Sequence, residues 1–174
     1  MAPSGAHRDM YLDENEEVIP RLSLDGHLAA GVPGSVAGML DAHEKHGSLP
    51  WAELVQPAIN LAKNGFKVTE KQAVNLNKFA ERFAKFNPTN NYLQKEEEWK
   101  EGDLLVQSDL SETLIRIRDE KRDGFYAGET ADLIIQEMEN GGGIITHEDL
   151  KNYRYIWRCL LYTSPIPRDH QPSR

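Results

Sequence analysis

The stretch Gly31-Val32-Pro33-Gly34-Ser35-Val36-Ala37-Gly38 carries the strongest local signal in the chain. Glycine and proline together fix unusual backbone angles, so residues 31–34 predict a tight turn. Ser35 is a typical N-cap residue and predicts a helix that runs to about His46 and ends at Gly47. The apolar face expected for this helix consists of Val36, Met39, Leu40 and the ring of His43.

A second helix is predicted directly downstream. Pro50 is typical of a helix start, and apolar residues recur at helical spacing through residues 51–62. Pro57 is expected to kink or restart this helix, because proline lacks a backbone N–H. Asn64-Gly65 predicts a Schellman-like helix end with Phe66 as its apolar contact.

Polar residues mark three further helix starts. Thr69 with Gln72, and Asp109 with Glu112, form the sequence pattern of a capping box. Thr146 is expected to cap a last helix over residues 147–153. The first of these helices is expected to carry one apolar face made of Ala73, Leu76, Ala80 and Phe83.

The most regular periodicity lies in residues 129–140, which predict a helix stopped by three consecutive glycines. Extended structure is expected at residues 104–106 and 144–145, and a short strand within residues 22–32. Six amphipathic helices with so little sheet lack partners for their apolar faces. The pattern therefore predicts a piece of a larger domain whose sheet lies elsewhere in the parent chain.

The composition indicates a globular acidic protein. The 174 residues include 20 Lys and Arg against 28 Asp and Glu, a net charge of −8, with 39% hydrophobic residues. That length fits one domain. The absence of a basic stripe argues against a nucleic-acid surface, and no apolar run approaches the roughly 18–20 residues of a membrane span. The single cysteine, Cys159, excludes an internal disulfide framework and a cysteine-rich metal site.

Neither end of the sequence has the character expected of a native terminus. Met1-Ala2-Pro3 lacks targeting character, and we interpret Met1 as an internal methionine. From Cys159 the sequence resembles the translation of a transposase-type sequencing adapter, differing where Ile166 replaces a serine. We therefore expect residues 1–154 to be the biological segment and residues 155–174 a non-native tail. The alternative is an ordinary disordered tail.

Residue chemistry alone reveals no complete catalytic constellation. His43 and His46 lie three apart on one predicted helix, but zinc usually takes three protein ligands and no third is placed. Ser35 has no histidine and acid partners that the sequence can place. Glu148 and Asp149 fall in the first turn of a helix, where they are interpreted as capping residues. No residue is assigned to catalysis, substrate binding or metal binding.

A series of local motifs nevertheless occurs in one order along the chain. The motifs are Arg8-Asp9-Met10-Tyr11-Leu12-Asp13, the Gly31–Gly38 stretch, Leu49-Pro50-Trp51 with Gln56-Pro57-Ala58, Trp99-Lys100-Glu101-Gly102-Asp103, Gly124-Phe125-Tyr126, and Gly142-Gly143-Ile144-Ile145-Thr146 followed by Glu148-Asp149-Leu150. In that order and spacing they resemble the gamma-glutamyltranspeptidase family over nearly all of residues 1–154. The resemblance implies the fold class α+β, as a mostly helical fragment of the αββα sandwich of N-terminal-nucleophile hydrolases.

The same resemblance implies an enzyme made as a precursor that cuts itself into a large and a small subunit. The freed N-terminal threonine attacks the γ-glutamyl carbonyl of glutathione or a related amide, and its own α-amino group takes the proton. The γ-glutamyl group then passes to water, an amino acid or a peptide. The implied partners are γ-glutamyl small molecules and the small subunit. No metal or organic cofactor is implied, and the intact parent is expected in the periplasm or outside the cell.

Two functional residues of the family are expected outside this chain. The arginine that grips the substrate α-carboxylate belongs just upstream of Met1-Ala2-Pro3, and Arg8 does not replace it. The nucleophilic threonine belongs well downstream of Arg154, and Thr146 is interpreted as a helix cap. We therefore expect a large-subunit segment that is inactive when expressed alone.

Two other interpretations stay open at the level of sequence. A β-lactam or glutaryl acylase shares the implied architecture and differs in pocket residues that this chain lacks. A non-catalytic helical interaction module, binding a partner through its acidic faces, is an alternative of a different class. A module of that kind would unfold cooperatively as a monomer, whereas a fragment with unpaired helix faces would expose apolar surface.

Overall fold

A computed structural model of the chain describes residues 1–86 and 92–157. Residues 87–91, whose Asn and Pro content predicts a loop, and the adapter-like stretch 159–174 lie outside the described residues. Within the described part, helices dominate and the two strands have two residues each. The elements are a 3₁₀ helix at His27–Ala29, α1 at Ser35–His46, α2 at Trp51–Asn64, β1 at Phe66–Lys67, α3 at Glu70–Lys78, α4 at Ala80–Phe86, β2 at Leu104–Leu105, α5 at Ser108–Glu120, α6 at Asp123–Tyr126, α7 at Gly128–Gly141 and α8 at His147–Asn152.

Helix α1 begins directly after residues 31–34, and Gly47 ends it as predicted. The tight turn predicted at residues 31–34 was wrong, because these residues form neither a turn nor a bend and the Val32 N–H binds the distant Met1 carbonyl. This irregular stretch is called segment 31–34 below. The cap prediction was wrong by one residue, because Gly34 holds the N-cap position and Ser35 is the first helical residue. The predicted apolar face is confirmed for Val36, which is buried, and for Leu40, which packs against the main core. Met39 was wrongly placed on that face, because it is 55% exposed. Ala37 and Asp41 are buried as well.

Helix α2 continues through Pro57 without a break, so the proline does not restart it. Its end differs from the predicted Schellman cap. Gly65 adopts φ 77° and ψ 166°, which sends the chain into an extended conformation instead of closing the last helical turn. Strand β1 follows and pairs antiparallel with β2, with Phe66 opposite Leu105.

The capping box at Thr69 and Gln72 is confirmed, and α3 begins with it. The single apolar face predicted beyond it is interrupted, because Phe79 separates α3 from α4. Ala73 nevertheless packs into a small core under the two strands. That core consists of Val68, Ala73, Trp99 and Leu105.

Helix α5 begins one residue before the predicted capping box, with Gln107 at the N-cap and no side-chain cap bond. Ser111 and Ile117 are its buried residues, while Leu110 is 39% exposed. The i,i+4 spacing of Glu112 and Arg116 predicts an ion pair between them. In the structure the Arg116 guanidinium instead lies 3.1 Å from the carboxylate of Glu129 on α7. Helix α5 packs most extensively against α2.

The apolar stripe predicted on α7 is confirmed, and it belongs to the main core. Gly142 caps the helix in the left-handed conformation. Thr146 caps α8 as predicted, and α8 ends at Asn152, one residue short of the expected end. The buried residues of the main core are Val32, Val36, Ala37, Ile117, Tyr126, Ala131, Ile135, Ile145 and Leu150.

Residues 22–32 form the 3₁₀ helix at His27–Ala29 and not the strand that the sequence suggested. Ile145 is buried, yet residues 144–145 take part in neither strand. None of the helices within residues 1–86 and 92–157 combines the length and apolar character needed to cross a bilayer.

Candidate functional site

The first four residues of the chain lie against segment 31–34. The Met1 carbonyl accepts a hydrogen bond from the Val32 N–H at 3.0 Å. A Cβ atom at Gly31 would stand 3.4 Å from that same carbonyl, so a side chain at Gly31 would crowd the contact. Pro3 and Val32 are both buried. Segment 31–34 and residues 1–4 therefore meet through their backbones.

Asp149 holds the other end of this segment. Its Oδ1 accepts from the Ser4 N–H at 2.8 Å. Its Oδ2 accepts from the N–H of Thr146 at 3.0 Å and from the hydroxyl of Thr146 at 2.9 Å, which completes a capping box. Burial alone would raise the pKa of Asp149, but these donors hold the pKa below its ordinary value. An ionised, buried carboxylate thus joins α8 to a residue 145 positions away.

Tyr126 joins segment 31–34 to the start of α1. Its hydroxyl donates to the Pro33 carbonyl at 2.8 Å and accepts from the Ala37 N–H at 3.2 Å. The second bond satisfies one of the free N–H groups at the start of α1, where Gly34 offers no side-chain cap. Burial raises the pKa of Tyr126, which favours the protonated hydroxyl that this arrangement requires.

Aromatic stacking holds Tyr126 in this position. The ring of Tyr153 lies parallel to it at 5.8 Å, and the Arg122 guanidinium lies 4.6 Å from its centroid. Arg122 also donates to the carbonyl of Tyr153 at 2.7 Å. A Cβ atom at Gly34 would lie 2.0 Å from the Tyr153 hydroxyl. Glycine is therefore required at this position for Tyr153 to approach segment 31–34.

A cleft of about 480 Å³ opens beside α1. Asp41, Glu44 and Lys121 are among the charged residues that line it. The Asp41 carboxylate accepts from Trp157 Nε1 at 2.5 Å and lies 3.3 Å from Lys45. Burial would raise the pKa of Asp41, but hydrogen bonds from Tyr155, Trp157 and Lys45 hold the pKa below its ordinary value. The side chains of His43 and Trp51, which also line the cleft, bind the backbone carbonyls of Leu49 and Ile117.

The histidines considered as metal ligands bind elsewhere. His43 Nε2 lies 2.8 Å from the Leu49 carbonyl, and His46 meets the edge of the Trp157 ring at 5.9 Å. His27 contacts the carboxylate of Glu137 at 2.7 Å. Across residues 1–86 and 92–157, His, Cys, Asp and Glu side chains form no group of three that could hold a metal ion.

The structure also places the other residues weighed from sequence. The Arg8 side chain is 96% exposed and lies 3.8 Å from Asp9. The Thr146 hydroxyl is engaged in the capping box of α8. Sequence reasoning recognised Asp149 as a capping residue but missed its bond to Ser4 and the two bonds of the Tyr126 hydroxyl. No sequence pattern indicates contacts between segments so far apart.

These elements are a mostly helical part of an N-terminal-nucleophile hydrolase, because solved structures of such enzymes share this arrangement. A sequence model described as Gamma-glutamyltranspeptidase matches residues 1–166. The chain belongs to the gamma-glutamyltranspeptidase family.

Two solved structures superpose on most of the chain. Gamma-glutamyltranspeptidase of Helicobacter pylori gives a TM-score of 0.84 at 45% identity and covers 88% of this chain and 44% of its own. The enzyme from Pseudomonas nitroreducens, solved in complex with L-DON, gives 0.80 at 44% identity and covers 91% of this chain and 46% of its own. A cephalosporin acylase from Bacillus halodurans is less similar, with a TM-score of 0.65 at 27% identity, and covers 75% of this chain and 26% of its own.

Curated relatives are longer than this chain. The glutathione hydrolase proenzyme of Pseudomonas aeruginosa is 44% identical over 176 residues, which covers 96% of this chain and 31% of that protein. The proenzyme of Escherichia coli is 38% identical and covers 98% of this chain and 29% of its own length. The chain thus spans about a third of the curated relatives that it matches.

Proposed function

We propose that the chain is a large-subunit segment of an enzyme that cleaves γ-glutamyl amides such as glutathione and passes the γ-glutamyl group to water, amino acids or peptides. The observation that carries this proposal is the 44% identity to a glutathione hydrolase proenzyme over 96% of the chain. The weaker similarity to a cephalosporin acylase supports a transpeptidase over an acylase.

In this proposal the chain supplies a wall of the substrate site and not the reacting groups. The nucleophile is an N-terminal threonine released by self-cleavage of the precursor, and the small subunit that carries it is the chain's partner. The name "proenzyme" given to the relatives supports a precursor of this kind. The threonine's α-amino group accepts the hydroxyl proton as the acyl-enzyme forms.

The contribution of residues 1–4 follows from their position. The arginine that binds the donor α-carboxylate lies just before Met1 in the proposed parent. The hydrogen bond between Met1 and Val32 supports a position of that arginine beside segment 31–34. A guanidinium binds a carboxylate through two parallel hydrogen bonds, which orients the donor as well as holding it. The proposed location of the intact enzyme is the periplasm or the cell exterior.

Recovery of the intact gene tests the function. We expect a frame that encodes an arginine just before Met1 and continues beyond Arg154 to a threonine at a cleavage point. The purified precursor should split into two subunits and hydrolyse both glutathione and γ-glutamyl-p-nitroanilide. N-terminal sequencing of the small subunit should begin at threonine. A stop codon directly after Arg174 in independent clones, or turnover of glutaryl amides in place of γ-glutamyl amides, would contradict the proposal.

A further inference from the structure

The third hydrogen bond of Asp149 exceeds what a capping box needs. In the box of α3, one oxygen of Gln72 accepts from both the N–H and the hydroxyl of Thr69, each at 2.9 Å. In the box of α8, Oδ2 of Asp149 does the same for Thr146, which leaves Oδ1 for the Ser4 N–H. A neutral amide caps α3 with one acceptor, whereas a buried carboxylate at α8 offers two.

Residues 1–4 are held at both ends by these contacts. The Met1 carbonyl binds Val32 at 3.0 Å, and the Ser4 N–H binds Asp149 at 2.8 Å. Pro3 is buried between the two anchors. A hydrogen bond to an ionised acceptor is roughly twice as strong as one between neutral groups. Asp149 is therefore the stronger of the two backbone anchors.

We propose that Asp149 is a positioning residue for the substrate site. It fixes residues 1–4 against segment 31–34. It thereby sets the direction from which the preceding chain approaches that segment. This inference rests on the proposed function, in which the preceding chain carries the arginine for the donor α-carboxylate. Asp149 itself touches no substrate and acts through its hydrogen bonds to Ser4.

The decisive variant is Asp149→Gln in the intact precursor. Glutamine reproduces the neutral capping box already present at α3, so α8 keeps its cap. The remaining NH₂ group is a donor and cannot accept from the Ser4 N–H. We expect the KM for γ-glutamyl-p-nitroanilide to rise roughly 10- to 100-fold, the upper end being the loss that a displacement of about 1 Å can cause. The kcat should change much less, because the threonine lies on the other subunit.

Thr146→Ala is the matched control. It removes the Thr146 hydroxyl from the same capping box but leaves Oδ1 of Asp149 free to bind Ser4. We expect this variant to lose stability while its KM stays near that of the wild type. The inhibition constant of 4-aminobutyryl-p-nitroanilide, which lacks the α-carboxylate, should be the same in all three proteins.

Two results would overturn the inference. One is an unchanged KM in a folded Asp149→Gln enzyme whose wild type is active. The other is an equal rise of KM in Thr146→Ala, which would mean that general loosening of α8 is responsible. An inactive wild-type precursor would instead reject the proposed function.

Hydrogen exchange provides a measurement that depends neither on activity nor on the folding of a variant. In the wild-type protein the Ser4 and Val32 amides should exchange slowly, whereas the exposed Arg8 amide should not. Exchange of Ser4 at the rate of a free loop would overturn the anchoring by Asp149.

Discussion

Tyr126 binds two backbone groups through one hydroxyl, which donates to the Pro33 carbonyl in a part-buried bond and accepts from the Ala37 N–H in a buried one. Tyr126→Phe would leave both backbone groups without that partner. We expect the free energy of unfolding to fall by about 1–3 kcal/mol. Urea denaturation followed by circular dichroism measures this change.

Tyr11→Phe is the control for that variant, because the Tyr11 hydroxyl makes a single long bond of 3.4 Å to the Leu28 carbonyl. Its effect should be well below that of Tyr126→Phe. Equal effects of the two substitutions would show that the free energy of unfolding does not depend on the two hydrogen bonds of the Tyr126 hydroxyl.

Lys121 is strained at the end of α5, with φ 55° and ψ −117°. A residue with a Cβ rarely adopts these angles, and the strain is of the order of 1–3 kcal/mol. Glycine relieves the strain but loses about 0.5–1 kcal/mol through its freedom in the unfolded chain. We therefore expect Lys121→Gly to raise Tm.

Lys121→Ala separates the backbone effect from the loss of charge. Alanine keeps the Cβ atom, so its Tm should stay close to that of the wild type. A rise of Tm in the alanine variant as large as in the glycine variant would assign the gain to the removed charge instead of the backbone.

At the scale of elements, several carboxylates depend on cations and N–H groups in loops and at helix ends. Hydrogen bonds from Lys95 and from the Lys100 N–H lower the pKa of Asp103, and a hydrogen bond from Arg21 lowers that of Asp25. A lowered pKa in the folded state means that protonation favours unfolding. This stabilisation is fully present above the unfolded-state pKa of 3.8 and is lost as pH falls through the lower folded values.

We therefore expect the free energy of unfolding to be flat from about pH 7 to 5 and to fall below about pH 4. Urea denaturation at a series of pH values measures the slope. Asp103→Asn should reduce that slope, because its contribution no longer titrates. A stability that stays constant down to pH 3 would contradict the assignment of these loop contacts.

Local signals predicted the elements well where the residues that determine them are adjacent in sequence. The boxes at Thr69 and Thr146 and the glycine stop after α7 required only a few neighbouring residues. The predicted box at Asp109 failed because α5 begins at Ser108, and a pattern match alone does not place the first helical turn. The burial of Asp41 on α1 could not be predicted, because its partner Trp157 lies 116 positions away.

Of the site, the sequence predicted only the cap at Thr146 and Asp149, because the remaining contacts join distant segments. The bonds between Asp149 and Ser4 and between Tyr126 and Pro33 cross 145 and 93 positions. No local periodicity encodes such contacts. The order of family motifs, in contrast, indicated the correct family, because such a match depends on the order and spacing of residues and not on tertiary contacts.

At the scale of the whole molecule, residues 1–86 and 92–157 form two separate cores, and the chain spans 44% of a solved transpeptidase chain. In the proposed enzyme the small subunit supplies the nucleophile. We expect the purified 174-residue chain to give no release of p-nitroaniline from γ-glutamyl-p-nitroanilide above the buffer rate. Turnover that follows protein concentration and survives a second purification step would contradict this.

The surface of the isolated chain should reveal whether it is an autonomous module. A groove of about 500 Å³ lies between segment 31–34, α6 and α7, and most of its lining is apolar. Leu133 in this groove is 50% exposed. Contiguous apolar surface of this kind promotes association and binding of apolar dyes. We therefore expect the chain to bind such a dye while folded and to self-associate at micromolar concentration.

Leu133→Lys should reduce both effects, because it places a charge in the groove. Val74→Lys is the matched control, since Val74 is 60% exposed on α3 and does not line the groove. Analytical ultracentrifugation and dye titration measure the outcomes. A wild-type chain that is monomeric, binds no dye and unfolds in one cooperative transition would favour the independent interaction module. Association that Leu133→Lys relieves and Val74→Lys leaves unchanged would instead locate the unpaired surface in this groove, as expected for a segment separated from its parent enzyme.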